Sequence, residues 1–280
     1  MNVIDVTGLA KAFNGVVAVD HIDLRVAAGE IVGFLGPNGS GKTTTIRMIC
    51  GLLTPDAGEG TVLGFDVRRD SALIKREVGY MTQKFSLYED LTIEENLTFV
   101  ARLYHLAERP RVVAATLDAL GLKSRRHQTA GVDPKARREF WDEIHRLASG
   151  GLTVLVSTHY MDEAERCHRI NYISYGKMLA AGTVSEVVRA SGLSTFVVIA
   201  PPSAALMARI EALDGVEQVA PFGAALHVSG VDHDRLAAAL APLAREDGVS
   251  VAPGETNLED VFIHFMGVGG GLAHEERTPS

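Results

Sequence analysis

The sequence lacks the features that would assign it to the cell exterior, to a membrane or to nucleic acid. Only two cysteines, Cys50 and Cys167, occur in 280 residues. Their wide separation fits no metal-ligand spacing, so we expect reduced, buried thiols in a cytosolic protein. No uninterrupted apolar run approaches the roughly 18 residues of a membrane-spanning helix, and the N-terminal residues lack the apolar segment of a signal peptide. A formal net charge of −8 provides no general electrostatic attraction to nucleic acid.

Residues 1–190 alternate short apolar runs with helical patterns. The runs GEIVGFLG, VGYMTQ, LTVLVSTH and INYISYGK are typical of strands, and KTTTIRMICGLL, LTIEENLTFVARLYHL and DPKARREFWDEIHRLA are typical of helices. This alternation predicts an α/β fold with a parallel sheet and flanking helices.

The remainder of the chain has a different pattern. Residues 194–267 predict strands and helices in the order βαββαβ followed by the helix NLEDVFIHFMG, hence a small α+β domain. Residues 268–280 are Gly-rich and then polar, so we expect a disordered tail.

One motif carries a specific chemistry. The segment GPNGSGKT at positions 36–43 fits G-x-x-x-x-G-K-[ST], with an apolar strand before it and a helix after it. Its glycines let backbone N–H groups converge on phosphate oxygens at the positive end of the helix. Lys42 is expected to reach the β- and γ-phosphates, and the Thr43 hydroxyl to coordinate Mg²⁺. The motif therefore predicts a nucleotide site with Mg²⁺, formed by Gly36, Asn38, Gly39, Ser40, Gly41, Lys42, Thr43 and Thr44; the resemblance described next implies that the nucleotide is ATP.

Further motifs resemble those of the ATPase subunits of ATP-binding-cassette (ABC) transporters. The resemblance implies that Phe13 stacks on adenine and that Gln83 meets Mg²⁺ and follows the membrane partner. It also implies that Asp133 lies in the D-loop near the nucleotide and that His159 is the switch histidine, which makes His159 and Gln83 the candidate catalytic residues. NLEDVFIHFMG resembles the C-terminal extension of cassettes that drive drug- and polyketide-type exporters.

The same family carries a signature loop and a Walker B strand ending in Asp-Glu before the D-loop, and neither occurs here. Ser149-Gly150-Gly151 lies on the wrong side of the D-loop, and Asp162-Glu163 follows His159 on a predicted surface helix. Lys42 and His159 are 117 positions apart, which is roughly forty fewer than the full motif set needs. We therefore expect a segment, including one central strand, to be missing between Gln128 and Thr129.

The missing segment has two expected consequences. The chain keeps the phosphate loop but lacks the carboxylate that, by resemblance, polarises the attacking water, so its hydrolysis of ATP is in doubt. The strand LTVLVSTH loses a neighbour and presents an unpaired edge, and VGYMTQ loses its link to the sheet.

Three functional hypotheses follow. The first is the ATP-binding subunit of an ABC exporter, peripheral at the inner face of the cell membrane, working with membrane-spanning subunits and a second cassette in a homo- or heterodimer; within it, a defective, internally deleted copy is favoured over a functional minimal one. The second is a non-hydrolysing ATP-binding module that regulates an intact cassette. The third, a cassette of the translation or DNA-repair type, is disfavoured because such proteins usually carry two cassettes.

Overall fold

The computed structural model describes residues 1–81, 88, 90–128, 134–201 and 203–275. The strands are β1 (Asn2–Phe13), β2 (Val16–Ala27), β3 (Ile31–Leu35), β4 (Ala57–Val62), β5 (Phe65–Asp66), β6 (Val154–Ser157), β7 (Arg169–Ser174), β8 (Lys177–Gly182), β9 (Ser194–Ile199), β10 (Gln218–Phe222), β11 (Ala225–Gly230) and β12 (Ser250–Gly254). The helices are α1 (Lys42–Ile49), α2 (Ser71–Glu77), α3 (Ile93–Leu103), α4 (Arg109–Ala119), α5 (Pro134–Ser149), α6 (Met161–Ala164), α7 (Val184–Ala190), α8 (Ala204–Glu211), α9 (His233–Leu240) and α10 (Leu258–Glu275).

An antiparallel sheet, in the order β2-β1-β4-β5, forms the N-terminal layer. The long hairpin of β1 and β2 has an alternating burial pattern because one face packs on the core and the other meets solvent. The sequence analysis predicted a parallel sheet and did not identify this layer. The period-two alternation in VVAVDHIDLRVA was the signal that could have revealed it.

The central sheet has the order β6-β3-β7-β8. Strands β6, β3 and β7 run parallel, which confirms the α/β architecture, and β8 pairs antiparallel with β7. All five residues of β3 are buried, whereas all four residues of β6 are only half-buried. Within the described residues β6 pairs with β3 alone, so it is an edge strand, as expected if its outer neighbour is missing.

The strand expected at VGYMTQ does not form in its described part. Residues 78–81 have no regular secondary structure, and positions 82 and 83 lie outside the described residues. A strand requires a partner for its backbone hydrogen bonds, and the sequence analysis expected this segment to lose its link to the sheet together with the missing strand. The prediction of a strand was therefore wrong for residues 78–81, whereas their lack of regular structure agrees with the expected loss of that link.

A small helical layer contains the residues that precede the predicted break. Helix α3 begins with a reciprocal capping box between Thr92 and Glu95. Its first N–H groups are satisfied by the chain before the break, because the Ile93 N–H donates to the Gln128 carbonyl at 3.0 Å and the Glu94 N–H donates to the Arg126 carbonyl at 3.0 Å. The chain up to Gln128 is thus anchored on the start of α3.

The C-terminal sheet has the order β10-β11-β9-β12 and is antiparallel throughout. Helices α8 and α9 cover one face, and their apolar residues form a core with the strands: Phe196, Val198, Leu206, Ile210, Val228, Leu236, Leu240 and Leu243. The predicted βαββαβ order is confirmed.

Helix α10 joins the C-terminal region to the cassette core. Its residues Leu258 and Val261 are buried in the same cluster as Ile31 and Leu35 of β3, so the region 194–267 packs against the cassette through this helix. The helix continues to Glu275 where an irregular tail had been expected from residue 268. No helix in the described parts of the chain is both long enough and apolar enough to cross a bilayer.

Candidate functional site: a phosphate-binding loop

The loop between β3 and α1 has the backbone shape that its glycines allow. Gly36, Gly39 and Gly41 all have positive φ, at 139°, 82° and 104°, where side chains with a Cβ are strained. At Gly36 a Cβ would come within 1.9 Å of the Ile173 carbonyl oxygen, and at Gly41 within 2.4 Å of the Ala18 carbonyl oxygen. The loop therefore fits between β2 and β7 only with glycine at these two positions.

Lys42 lies inside this loop. Its Nζ donates to the carbonyl oxygens of Gly36 at 2.6 Å and Pro37 at 2.8 Å, and only 6% of the residue is exposed. Burial lowers the pKa of its ammonium group because a low-dielectric environment disfavours the charged form. An ammonium has three donors, so one remains to meet an anion at the mouth of the loop.

The other predicted phosphate ligands surround Lys42. Asn38 and Gly39 are exposed at the tip of the loop, the Thr43 side chain is exposed, and Thr44 is half-buried. The Ser40 hydroxyl is buried without a hydrogen-bond partner among the described residues. Helix α1 has no acidic residue in its first turn and no side-chain cap, so its N-terminal N–H groups and positive dipole end are available to phosphate oxygens.

Three contacts that the sequence analysis missed hold the loop in place. The Thr45 hydroxyl donates to the Gly41 carbonyl at 3.0 Å, and the Gly176 N–H donates to the Ser40 carbonyl at 3.0 Å. The Gly176 carbonyl in turn accepts from the Asp20 N–H at 2.9 Å. Thr45 adjoins the motif and could have been found, whereas Gly176 and Asp20 are far away in sequence.

Phe13 lies at the end of β1, and 46% of the residue is exposed. The Nζ of Lys11 is 5.7 Å from the centroid of its ring, and Lys11 also pairs with Asp56 at 2.6 Å. The ring therefore offers an accessible aromatic surface, as an adenine-stacking residue requires.

The chain after β6 contains the predicted switch histidine. The Thr158 N–H donates to the Phe34 carbonyl at 3.1 Å and so extends the pairing with β3. His159 follows it, is exposed, and lies 4.0 Å from the Tyr160 ring between centroids. Glu163 is half-buried and accepts a short hydrogen bond from the Thr158 hydroxyl, so this carboxylate braces the turn. The sequence analysis placed both Asp162 and Glu163 on a helix surface, and only Asp162 is exposed.

Two predicted site residues, Gln83 and Asp133, lie outside the described residues. In the part of the chain that the structure describes, no group of three or more His, Cys, Asp or Glu side chains could hold a metal ion. The groups that could hold Mg·ATP are therefore those of the phosphate loop. They are the buried Ser40 hydroxyl, the exposed Thr43 hydroxyl and the Lys42 ammonium.

A parallel sheet, a glycine loop and a buried lysine at the first position of the following helix define a P-loop nucleotide-binding protein. Residues 19–140 match the family model described as ABC transporter. The chain is 40% identical to the "Probable multidrug ABC transporter ATP-binding protein YbhF" of Escherichia coli K12, over 66% of this chain but only 38% of that protein. It is 36% identical to the "Daunorubicin/doxorubicin resistance ATP-binding protein DrrA" of Streptomyces peucetius, over 68% of each chain. This chain belongs to the ABC transporter ATP-binding family.

A longer match comes from the "Daunorubicin resistance ATP-binding protein DrrA3" of Streptomyces coeruleorubidus, 32% identical over 94% of this chain and 96% of that one. That alignment spans 303 positions, whereas 94% of a 280-residue chain is about 263 residues. About 40 aligned positions therefore have no counterpart in this chain.

Solved structures agree on the fold. The chain is 26% identical to the one titled "Structure of ATP binding subunit of ABC transporter", with a TM-score of 0.59 over 68% of this chain and 93% of that one. It also resembles the ADP- and Pi-bound dimer of the ATP-binding cassette MJ0796, with a TM-score of 0.57 over 64% of this chain and 98% of that one; at 20% identity this likeness shows the fold alone.

Proposed function

We propose that this chain is an ATP-binding subunit of an ABC exporter that binds Mg·ATP at its phosphate loop and hydrolyses it at a rate near background. The observation that carries the proposal is the contrast between two neighbouring parts of the central sheet. Beside β3 the phosphate loop is complete, with Lys42 held inside it. Beside β6, where the family's water-activating carboxylate would follow the next strand, the described residues supply no further strand.

The chemistry explains why binding and hydrolysis separate. Binding needs N–H donors, a cation and a hydroxyl for Mg²⁺, and the loop has all three. Phosphoryl transfer also needs a positioned water and a general base, and the base alone commonly contributes about 10²–10⁴ in rate. Glu163, which is half-buried four positions after His159, already accepts a hydrogen bond from the Thr158 hydroxyl. The 40 unmatched positions in the DrrA3 alignment support the loss of a whole segment.

The expected partners are membrane-spanning subunits and a second cassette, at the inner face of the cell membrane. Helix α3 supports this, because Phe99 and Leu103 are exposed on it and Tyr88 packs edge-on against Phe99 at 5.2 Å between ring centroids. Exposed aromatic and aliphatic side chains on one helix are suited to contact with another protein. The names of two relatives, which record multidrug transport and daunorubicin/doxorubicin resistance, favour a drug-like transported compound.

The experiment that tests this proposal restores the segment. The aligned segment of an intact relative, inserted between Gln128 and Thr129, should raise Lys42-dependent phosphate release by about 10²–10⁴. The matched control carries the same insert with its catalytic glutamate changed to glutamine, and it should stay near background. A chimera that folds, binds Mg·ATP and remains inactive would show that the missing segment is not the cause.

A second candidate is a non-hydrolysing module that regulates an intact cassette. The retained loop favours it, because a copy without a function would not be expected to keep Gly36, Gly41 and Lys42 together in a binding geometry. Mixed with an intact relative, such a module should change the relative's ATPase rate, and Lys42→Ala should abolish that change. A defective copy should leave the rate unaltered.

A further inference from the structure

Helix α10 is placed between the C-terminal sheet and the nucleotide-binding sheet. Residues 258, 261, 262 and 265 follow the i, i+3, i+4, i+7 spacing of one helix face, and this face packs into the cassette cluster that contains Leu35. A second face, with Asp260 and His264, meets the C-terminal sheet. One helix therefore touches both halves of the chain.

The contact on the C-terminal side is polar and specific. Asp260 is fully buried. Its carboxylate forms a hydrogen bond with His227 Nδ1 at 3.1 Å and accepts another from the Asn257 N–H at 3.0 Å. The Gln218 side-chain amide donates to the Asp260 carbonyl at 2.9 Å. A buried carboxylate with this many partners is expensive to displace, so α10 is held firmly against β10 and β11.

The contact on the cassette side is aromatic. The ring of Tyr172, on β7, meets Phe262 edge-on at 5.5 Å and lies 5.1 Å from Phe265. Burial raises the pKa of Tyr172 to about 12. The edge-on pair of Tyr172 and Phe262 has a geometry that stabilises aromatic contacts beyond the burial of their area.

This aromatic contact is adjacent to the phosphate loop. Tyr172 pairs in register with Leu35, the last residue of β3. The carbonyl of the next residue, Ile173, lies against Gly36 so closely that no Cβ could fit between them. A shift of β7 at Tyr172 would therefore move the wall against which the loop begins.

From these contacts we propose that Phe262 and Phe265 are positioning residues for the phosphate loop, acting through Tyr172 and Ile173. They touch no nucleotide themselves. Their action makes the loop's order depend on the docking of α10 against β7. The inference rests on the proposed function in that the loop is the Mg·ATP site, but the positioning itself is a property of the free protein.

The test compares two Phe→Leu changes in the full chain. Phe262→Leu should accelerate amide hydrogen exchange in residues 36–42 by about tenfold without nucleotide, the size expected for losing a contact between coupled residues. Phe196→Leu, at a buried phenylalanine in the C-terminal core, is the matched control and should leave exchange in those residues unchanged. Phe262→Tyr keeps the ring and should restore wild-type exchange.

Mg·ATP titration of the same variants gives an independent readout. The dissociation constant should rise for Phe262→Leu and stay constant for Phe196→Leu, measured well below both unfolding temperatures. Unaltered exchange of residues 36–42 in Phe262→Leu, or equal acceleration in Phe196→Leu, would overturn the inference. A wild-type protein that fails to bind Mg·ATP would instead refute the proposed function, and the exchange comparison would still decide the inference.

Discussion

Lys42 Nζ lies 2.6 Å from the carbonyl oxygen of Gly36, so the two ends of the phosphate loop are joined by the residue that is expected to meet the phosphates. This contact keeps a buried cation inside the loop, and among the described residues Lys42 forms no ion pair with a carboxylate. A phosphate group would supply the missing negative charge. The arrangement favours binding of an anion over an empty loop.

The first prediction follows from this geometry. Lys42→Ala should weaken Mg·ATP binding by at least about tenfold, since a hydrogen bond to a charged group contributes about 1.5–3 kcal/mol. Isothermal titration of the wild type and the variant measures the change. Lys75→Ala, on the exposed surface of α2, is the control and should bind like the wild type.

Turnover should behave differently from binding. Phosphate release by the wild type should remain near background, and Lys42→Ala should reduce it little further. Steady-state turnover in the range of about 1–10³ s⁻¹ that is usual for enzymes, lost on mutation of Lys42, would contradict the proposal.

The second prediction uses two glycines of the loop that differ in their surroundings. Gly36→Ala should abolish nucleotide binding and destabilise the cassette, because its Cβ would collide with the Ile173 carbonyl. Gly39 also has positive φ, but a Cβ there would have no neighbour within 4 Å. Gly39→Ala should therefore cost only the strain of the left-handed conformation, about 1–2 kcal/mol.

Thermal unfolding of both variants, with Mg·ATP titration, checks this difference. Equal loss of stability in the two variants would mean that backbone strain alone, and not the close approach of β7, sets the requirement for glycine in this loop.

The phosphate loop could be predicted from the sequence because all of its donors lie within nine consecutive positions. The absence of a strand at residues 78–81 could not be predicted from that segment itself, since strand formation depends on a neighbouring strand, and local propensity does not report on neighbours. The docking of α10 was missed for a related reason. The spacing of Leu258, Val261, Phe262 and Phe265 indicates an apolar face, but it does not specify which sheet that face covers.

The third prediction concerns the C-terminal domain alone. The fragment 194–254 contains the whole βαββαβ unit and its apolar cluster, so it should fold and show dispersed amide signals and a cooperative melt. Extension to residue 267 adds the face of α10 that packs on the cassette, and this longer fragment should self-associate. Light scattering and NMR distinguish the two. A random-coil spectrum for 194–254 would show that the domain needs the cassette.

The fourth prediction concerns the two thiols. Burial raises the pKa of Cys50 to about 11 and, together with the charge of Glu163, raises that of Cys167 to about 12. Because the thiolate is the reactive form, labelling of the folded protein at pH 8 should be about 10² times slower at Cys50 and about 10³ times slower at Cys167 than labelling of a free thiol with a pKa near 8.5.

The raised pKa values of the two thiols also determine the sign of the pH dependence of stability. The unfolded thiols lose protons near pH 9 while the folded ones keep them, so the unfolding free energy should fall as pH rises from about 9 to 11. Cys167→Ala should make this decline shallower, and denaturant titrations at pH 8, 9 and 10 would measure it. A decline of the same steepness in Cys167→Ala would exclude Cys167 as a source.

The last prediction concerns the exposed edge of the central sheet. Strand β6 is half-buried along its whole length and pairs with β3 on one side, although its apolar residues were expected to have neighbours on both sides. Each backbone group left unsatisfied in a partly buried position costs about 1–3 kcal/mol, and a domain is stable by only about 5–15 kcal/mol. Residues 1–190 should therefore be marginally stable and aggregate with rising concentration. Hydrogen exchange should be fast in residues 152–158 and slow in β3, which is buried throughout and serves as the internal control.

Inserting the segment of an intact relative between Gln128 and Thr129 should slow exchange in β6 towards the rate in β3. Strong, uniform protection of residues 78–81 and 152–158 in the isolated wild-type monomer would show that the edge is already satisfied, and the stability argument would fail.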